Sequence, residues 1–247
     1  MNLHNSTRAV VLEKPEQLGL HDLDLAEPHD DDVIVDVEWS GISTGTEKLL
    51  YTGAMPVFPG MGYPLVPGYE SVGRVREAGP TSGHQIGERV FVPGARCFGD
   101  VRGLFGASAS RLVVPGARAI SISEDLGESA VLLALAATAY HAVAGGGQRD
   151  PIVPPDLIVG HGVLGRLLAR MTVLGEYPTP TVWERDPKRA AGAMGYPVLR
   201  PEDDPRRDYK AIYDVSGDAG ILDTLVQRLA PGGEIVLAGF YSEPLSF

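Results

Sequence analysis

Cysteine is nearly absent: Cys97 is the only one in 247 residues. A disulfide within the chain needs two thiols and a zinc lobe of the multi-cysteine kind needs several, so both are excluded. A reducing, cytoplasmic setting is the expectation. Basic charge is also scarce, with 21 Lys and Arg against 32 Asp and Glu and a net charge of −11. That balance argues against nucleic acid, whose phosphates are held by clustered cations. The opening residues, MNLHNSTRAV, lack the basic start and apolar core of a signal peptide. Long apolar runs are missing too. The most apolar stretch, Ala130 to Ala144 (AVLLALAATAYHAVA), is too short and too rich in alanine for a membrane span. A soluble protein is expected, with peripheral membrane association left open.

What is present is glycine and proline, 31 and 20 residues, which calls for many tight turns. The length allows one large domain or two small ones, either with a real core. The first half reads as strands. VIVDVEW, from Val33 to Trp39, places Val33, Val35, Val37 and Trp39 on one face. SVGRVREAG, ERVFVPG and SRLVVPG follow, each ended by glycine or proline. The texture changes near residue 120. Ala130 to Ala144 predicts a buried helix stopped by glycines 145 to 147. Strands and helices then alternate: DLIVG, VLGRLLARMTVLG, TPTVWE, DPKRAAGAMG with Asp186 as N-cap, YKAIYDVSG, AGILDTLVQRLAPGG and EIVLAGF. Such alternation means a parallel sheet covered by helices. The expected fold is α/β, with a β-rich domain over 1–125 and a doubly wound dinucleotide-binding domain over 126–247.

GHGVLG supplies G-x-G-x-x-G at Gly160, Gly162 and Gly165, after a predicted strand and opening a predicted helix. In such a loop the first glycine permits the sharp turn and the second lets the backbone approach a pyrophosphate. The third lets the helix pack close to the strand. Glu184 ends the next strand, nineteen positions after Gly165. An acidic residue there accepts the ribose hydroxyls of NAD and repels a 2′-phosphate. Arg185 and Lys188 soften that preference, so NAD is favoured without NADP being excluded.

A β-rich domain before a dinucleotide fold resembles the medium-chain dehydrogenase/reductase superfamily. The resemblance is carried by GIS (41–43), PGYE (67–70), TAYHA (138–142), the glycine loop, DVSG (214–217) and PGGEIVLAGF (231–240). It implies a GroES-like catalytic domain before the Rossmann sheet. It implies cofactor contacts from Gly160, His161, Gly162, Val163, Leu164, Gly165, Glu184, Arg185 and Ser216. In zinc-using members the positions of Ser43 and Tyr69 are a cysteine and a histidine, both metal ligands. Neutral hydroxyls neither match zinc's softness nor supply its charge, so no metal is expected. Within the superfamily, WSGISTGTEKLLYTG and MPVFPGMGYPLVPGYESVGRV are similar to the bacteriochlorophyllide a dehydrogenases. Those enzymes oxidise a 3-(1-hydroxyethyl) group on a tetrapyrrole to 3-acetyl with NAD. Family members continue past the last strand here, so the resemblance implies a missing C-terminal segment, and it suggests a homodimer.

Tyr69 and Glu70 lie in PLVPGYESVG, and a phenol beside a carboxyl is either chemistry or packing. Oxidising an alcohol without zinc needs side chains to bind the developing alkoxide and relay its proton. The candidates are Tyr69, Ser43, Thr44 and Thr46, with Lys48 as the cation that lowers the phenol and His141 as a terminal base. Each also has a plain role: Lys48 as a solvated charge, His141 as a core histidine, the threonines as turn residues and Glu70 as a loop brace. Tyr51, Met55, Phe58, Met61 and Tyr63 could lie against a flat apolar ring, or tuck into the small β domain. Arg96, Arg102 and Arg111 are candidates to meet a substrate carboxylate. Two rival functions stand beside this one: a zinc-free NADPH-dependent quinone or enoyl reductase, and a nucleotide- or pigment-binding protein without catalysis.

Overall fold

The computed structural model describes residues 6–145, 152–241 and 244. The chain divides into two compact units, Met1–Ala134 and Leu135–Phe247. The first is built from β1 (Ser6–Lys14), β2 (Gln17–Asp24), β3 (Asp32–Ser40), α1 (Thr46–Thr52), β4 (Leu65–Val66), β5 (Ser71–Ala78), β6 (Arg89–Val92), β7 (Arg102–Gly103), β8 (Arg111–Pro115) and β9 (Ile120–Ser121). One sheet runs β2-β1-β4-β7 and the other β8-β3-β5-β6-β9. Alternating apolar residues make the core, with Val33, Val35, Val75, Val90, Val92 and Leu112 all buried in one cluster. Each such side chain contributes roughly 1.5–3 kcal/mol on burial.

Trp39 departs from the expected alternation. The pairing of β3 with β5 shifts register between Val37 and Trp39, and the extra residue turns the indole outward, leaving it 51% exposed.

In the second unit α2 (Leu133–Ala144), which begins two residues inside the first, precedes β10 (Leu157–Val159), α3 (Val163–Leu174), β11 (Thr181–Trp183), α4 (Pro187–Ala190), β12 (Val198–Leu199), β13 (Tyr209–Asp214), α5 (Leu222–Val226) and β14 (Leu229–Leu237). The sheet is parallel throughout, in the order β12-β11-β10-β13-β14. β10 is buried on both faces, as a central parallel strand must be. Ile158 joins a cluster with Leu168, Ala169 and Ala139, while Leu157 and Val159 join Ile212, Ile221 and Leu225. Asp204 ties the approach to β13: its Oδ2 accepts from Trp183 Nε1 at 2.6 Å and Tyr209 Oη at 2.5 Å.

Three expectations are corrected here. The helix expected from Asp186 is capped by Asp186 but lasts only to Ala190, because Gly192 adopts a left-handed φ of 80°. The helix expected through Leu229 stops at Val226, and Leu229 instead begins β14, which pairs with Tyr209. The apolar Ala130–Ala144 stretch is helical but mostly half-buried, with Ala130, Ala139 and Ala144 buried, Val131, Leu133, Ala142 and Val143 packed partly buried, and Ala137, Thr138, Tyr140 and His141 exposed. By length and composition Glu124–Ala144 would suffice to cross a membrane, at mean hydropathy 1.4. It carries Glu124, Asp125 and Glu128, and is broken at Gly127 (φ 51°, ψ −147°). Of the glycine stop, Gly145 is described (φ 52°); Gly146, Gly147 and the terminal Phe247 lie outside the described residues.

Candidate functional site

The sheet order reverses between β10 and β13, and the crevice beyond strand ends at such a point is where open α/β sheets take ligands. Gly160 leaves β10 with φ 106°, and a Cβ there would approach Ser216 after β13 at 3.3 Å. A Cβ at Gly165 would overlap the Gly160 carbonyl oxygen, so α3 packs this close only with glycine. Gly162 caps α3 without a side-chain acceptor, and a Cβ there would meet nothing within 4 Å. Free first-turn amides from Val163 and Leu164 and open space before them fit a pyrophosphate.

His161 is buried: its Nε2 is 2.9 Å from Tyr196 Oη and its Nδ1 2.6 Å from the Arg189 carbonyl oxygen. Burial lowers its pKa, and the ring braces the loop through these two contacts. Glu184 Oε2 accepts from His161 N at 3.1 Å, and Oε1 accepts from Asp186 N at 2.9 Å. The carboxylate is thereby fixed at the end of β11. It borders a cavity of ≈ 250 Å³ with Arg185, Ala190, Val198 and Arg200. Arg185 reaches Asp218 at 3.6 Å, Arg200 reaches Glu202 at 3.3 Å, and Lys188 follows on α4. Ser216 Oγ donates to Asp214 Oδ1 at 2.7 Å.

In the first unit a second group of polar side chains gathers on Tyr69. Gly68, at φ 95° and too close to Ser108 for any Cβ, makes the bend after β4. Thr46 Oγ1 lies 3.2 Å from Tyr69 Oη, and Ser43 also hydrogen-bonds the phenol. Phe105 stands edge-on to Tyr69, with ring centroids 5.2 Å apart. Burial raises the phenol's pKa, against the Ser43 and Thr46 hydrogen bonds, and Glu70 and Glu47 raise it further. Burial brings Glu47 up to about 7, opposed by a hydrogen bond from the Ser43 backbone and reinforced by Glu70. Glu70, 3% exposed, is raised by burial as well.

Tyr69, Ser43 and Thr46 are thus brought together, while Thr44 and Lys48 are exposed. Among the described residues the charges that act on the phenol are the carboxyls of Glu70 and Glu47, not a cation. Lys48 is therefore corrected as the group that lowers Tyr69, and Tyr69 as a cation-activated base. His141 is exposed on α2 in the second unit, which corrects the core-histidine reading. The loop after α1 folds inward: Met55 is buried with Leu12, Leu50, Leu65 and Leu104, and Phe58, Met61 and Tyr63 pack half-buried against them. Tyr51 Oη donates to the Glu16 carbonyl at 3.3 Å. Arg111 is engaged by Asp36 at 2.7 Å. Arg96 and Arg102 are exposed, and Arg102 donates to the Tyr63 carbonyl at 3.2 Å.

Sequence reasoning missed Glu47, Phe105 and Ile42. Ile42 (75% exposed) precedes Ser43 and Phe105 (41% exposed) touches Tyr69. Glu47 lies one helical turn from Ser43, a spacing visible in STGTE but overshadowed by the neighbouring lysine.

No group of three or more His, Cys, Asp or Glu side chains that could hold a metal exists among the described residues. The donors at Tyr69 are two neutral hydroxyls, a phenol and two carboxyls whose pKa values are raised. Zinc accepts carboxylates as well as thiolates and imidazoles, but a set with no thiolate or imidazole and only two carboxyls, both raised, does not fit it. Cys97 is buried elsewhere, its thiol pushed up to about 11 by burial.

A glycine loop at the switch point of a parallel sheet, following a β-rich unit in the chain, fits a dinucleotide, and known proteins place the chain among oxidoreductases that act on CH–OH groups with a nicotinamide dinucleotide. Residues 29–124 match the alcohol dehydrogenase GroES-like domain. An alcohol dehydrogenase from Escherichia coli complexed with NADH superposes with a TM-score of 0.77 at 25% identity, over 98% of this chain and 79% of that one. The CAD of Helicobacter pylori complexed with NADP(H) shares the fold, with a TM-score of 0.80 at 19% identity over 96% and 77%. The 2-desacetyl-2-hydroxyethyl bacteriochlorophyllide A dehydrogenase of Cereibacter sphaeroides is 57% identical, over 98% of this chain and 76% of its own length. The chain belongs to this bacteriochlorophyllide dehydrogenase family of the medium-chain dehydrogenases/reductases.

Proposed function

We propose that the protein oxidises the 3-(1-hydroxyethyl) group of a bacteriochlorophyllide to 3-acetyl with NAD, in the cytoplasm and without catalytic zinc. The observation that carries the reading is 57% identity to a dehydrogenase of that substrate along almost the whole chain. The preference for NAD over NADP is supported by Glu184, a carboxylate fixed at the end of β11, since an acidic residue at that position accepts ribose hydroxyls and repels a 2′-phosphate. The dinucleotide, when bound, accepts the hydride. Gly160, Gly162 and the α3 amides hold its phosphates, and His161 and Glu184 keep the loop in shape. At the other end of the reaction Tyr69, Ser43 and Thr46 hold the substrate hydroxyl. The half-buried Phe58, Met61 and Tyr63, with Tyr51, Phe105 and Ile42, offer apolar surface to the macrocycle. His141 stands exposed on α2, and a homodimer is part of the same proposal.

The test is an absorbance time course with 3-hydroxyethyl bacteriochlorophyllide a and NAD, with and without a strong chelator. A new acetyl carbonyl conjugated to the ring moves the long-wavelength band to the red. A shift indifferent to chelator is expected. Loss of turnover on chelation would end the zinc-free reading, and an unchanged spectrum with NAD bound would end the pigment assignment. Turnover of quinones or enones with NADPH in its place would favour the reductase.

A further inference from the structure

Two carboxyl oxygens beside Tyr69 are buried without a hydrogen-bond partner among the described residues: Oε2 of Glu47 and Oε1 of Glu70. Buried acceptors are ordinarily matched, and an unmatched one costs free energy of folding, so such an atom in a native site calls for a reason. The surrounding backbone holds the side chains there deliberately. Gly41 N donates to the Glu70 carbonyl at 2.8 Å, and any Cβ at Gly41 would overlap the Glu70 carboxyl. Glu47 occupies the first turn of α1, next to the Thr46 whose hydroxyl meets the phenol at 3.2 Å. Both carboxyls act electrostatically on Tyr69. Tyr69 and Glu70 face Glu47 from the bend before β5, and Lys48, next along α1, is turned to solvent.

We propose that Glu47 and Glu70 take up, through the Tyr69 phenol, the proton released from the substrate hydroxyl. The inference rests on the alcohol-oxidising reading above. As hydride leaves the carbinol carbon, the O–H bond breaks and its electron pair completes the carbonyl. The proton passes to Tyr69 Oη, the phenol's own proton passes by way of its Thr46 and Ser43 hydroxyl partners and a bridging water to a carboxylate, and the carboxyl later releases it to water. Tyr69 is a relay in this scheme, not a base, which suits a phenol raised above its ordinary value. A carboxylate at its usual strength would be a poor acceptor near neutrality. Burial and a second carboxyl make Glu47 a far better one. The pair positions and receives the proton where zinc-using relatives rely on a metal.

The test compares native protein, E47Q, E70Q, Y69F and the double variant E47Q/Y69F for turnover of 3-hydroxyethyl bacteriochlorophyllide with NAD across about pH 5 to 9. Native turnover should rise through neutrality. E47Q and E70Q should each lose roughly a hundredfold in kcat together with that rise, with NAD affinity unchanged. E47D should recover part of the rate, and E47Q/Y69F should be no worse than Y69F. Variants that turn over at the native rate with the native pH profile overturn the inference. Infrared difference spectra of the native protein provide a second readout without substrate. A carboxyl titrating near neutrality and missing from E47Q supports the inference; no such carboxyl overturns it. Native protein that binds NAD but leaves the pigment unchanged overturns the substrate reading alone, and the infrared titration then decides the proton acceptor.

Discussion

Replacing Glu47 by glutamine should change how stability depends on pH, in a direction fixed by the structure. In the folded chain the carboxyl is raised from 4.5 to about 7; in the unfolded chain it returns to 4.5. Between those values the folded state binds more protons than the unfolded one, so stability falls as pH rises through the window. Below it, both states are protonated and nothing is lost. The ideal size of the loss is about 3 kcal/mol, and partial access of the side chain to water reduces it to about 1–2 kcal/mol. For a chain of this length that is roughly 2–8 °C in Tm. Glutamine cannot ionise, so E47Q should hold its Tm between about pH 5 and 8 where the native protein declines. Any constant offset from the amide cancels, because the comparison reads slopes. Thermal melts of both proteins at several pH values provide the check. Parallel curves would mean that Glu47 is an ordinary surface carboxyl and would remove the electrostatic basis for its coupling to Glu70.

Three further outcomes are expected. Gly165→Ala puts a methyl against the Gly160 carbonyl oxygen, a strain of about 1–3 kcal/mol; calorimetry should show lower stability and a fluorescence titration weaker dinucleotide binding, and unchanged binding would refute the close-packing account. Glu184→Ser removes the carboxylate held by His161 N and Asp186 N, so the ratio of NAD to NADP affinity should fall by roughly tenfold in side-by-side titrations. Arg102, exposed beside the Tyr63 loop, should assist a pigment's propionate; Arg102→Ala should raise KM for the free acid by roughly threefold to fivefold and leave the methyl ester unaffected, whereas equal effects on both would exclude a charge contact.

The cofactor unit was readable because its physics is local. A three-residue strand, a glycine loop and an amphipathic helix each leave a signature within about a dozen residues, and the parallel order follows from their alternation. The failures occur where a long-range partner outvotes the local pattern. Leu229 sits on the helical stripe with Leu222 and Leu225, but pairing with Tyr209 draws it into β14. Trp39 keeps the strand's period in the sequence, and a bulge set by β5 turns it outward.

The catalytic unit shows the same limit at the level of charge. Position alone marked Ser43 and Tyr69, since hydroxyls there replace a cysteine and a histidine of related enzymes. Lys48 looked like the group to activate the phenol because it is adjacent in sequence to the right turn. One residue along a helix is a rotation of about 100°, and that rotation exchanges the roles: Glu47 faces inward and Lys48 faces water. The pattern S-T-G-T-E-K cannot distinguish the two until α1 is docked beneath Tyr69. A carboxyl left without a partner is likewise invisible in one dimension, because it is defined by the donors that fail to surround it. Hydroxyls stand at Ser43 and Tyr69 where zinc-using members have metal ligands, and the two carboxyls beside them, each with a buried oxygen that has no partner among the described residues, are the groups the proposed relay uses.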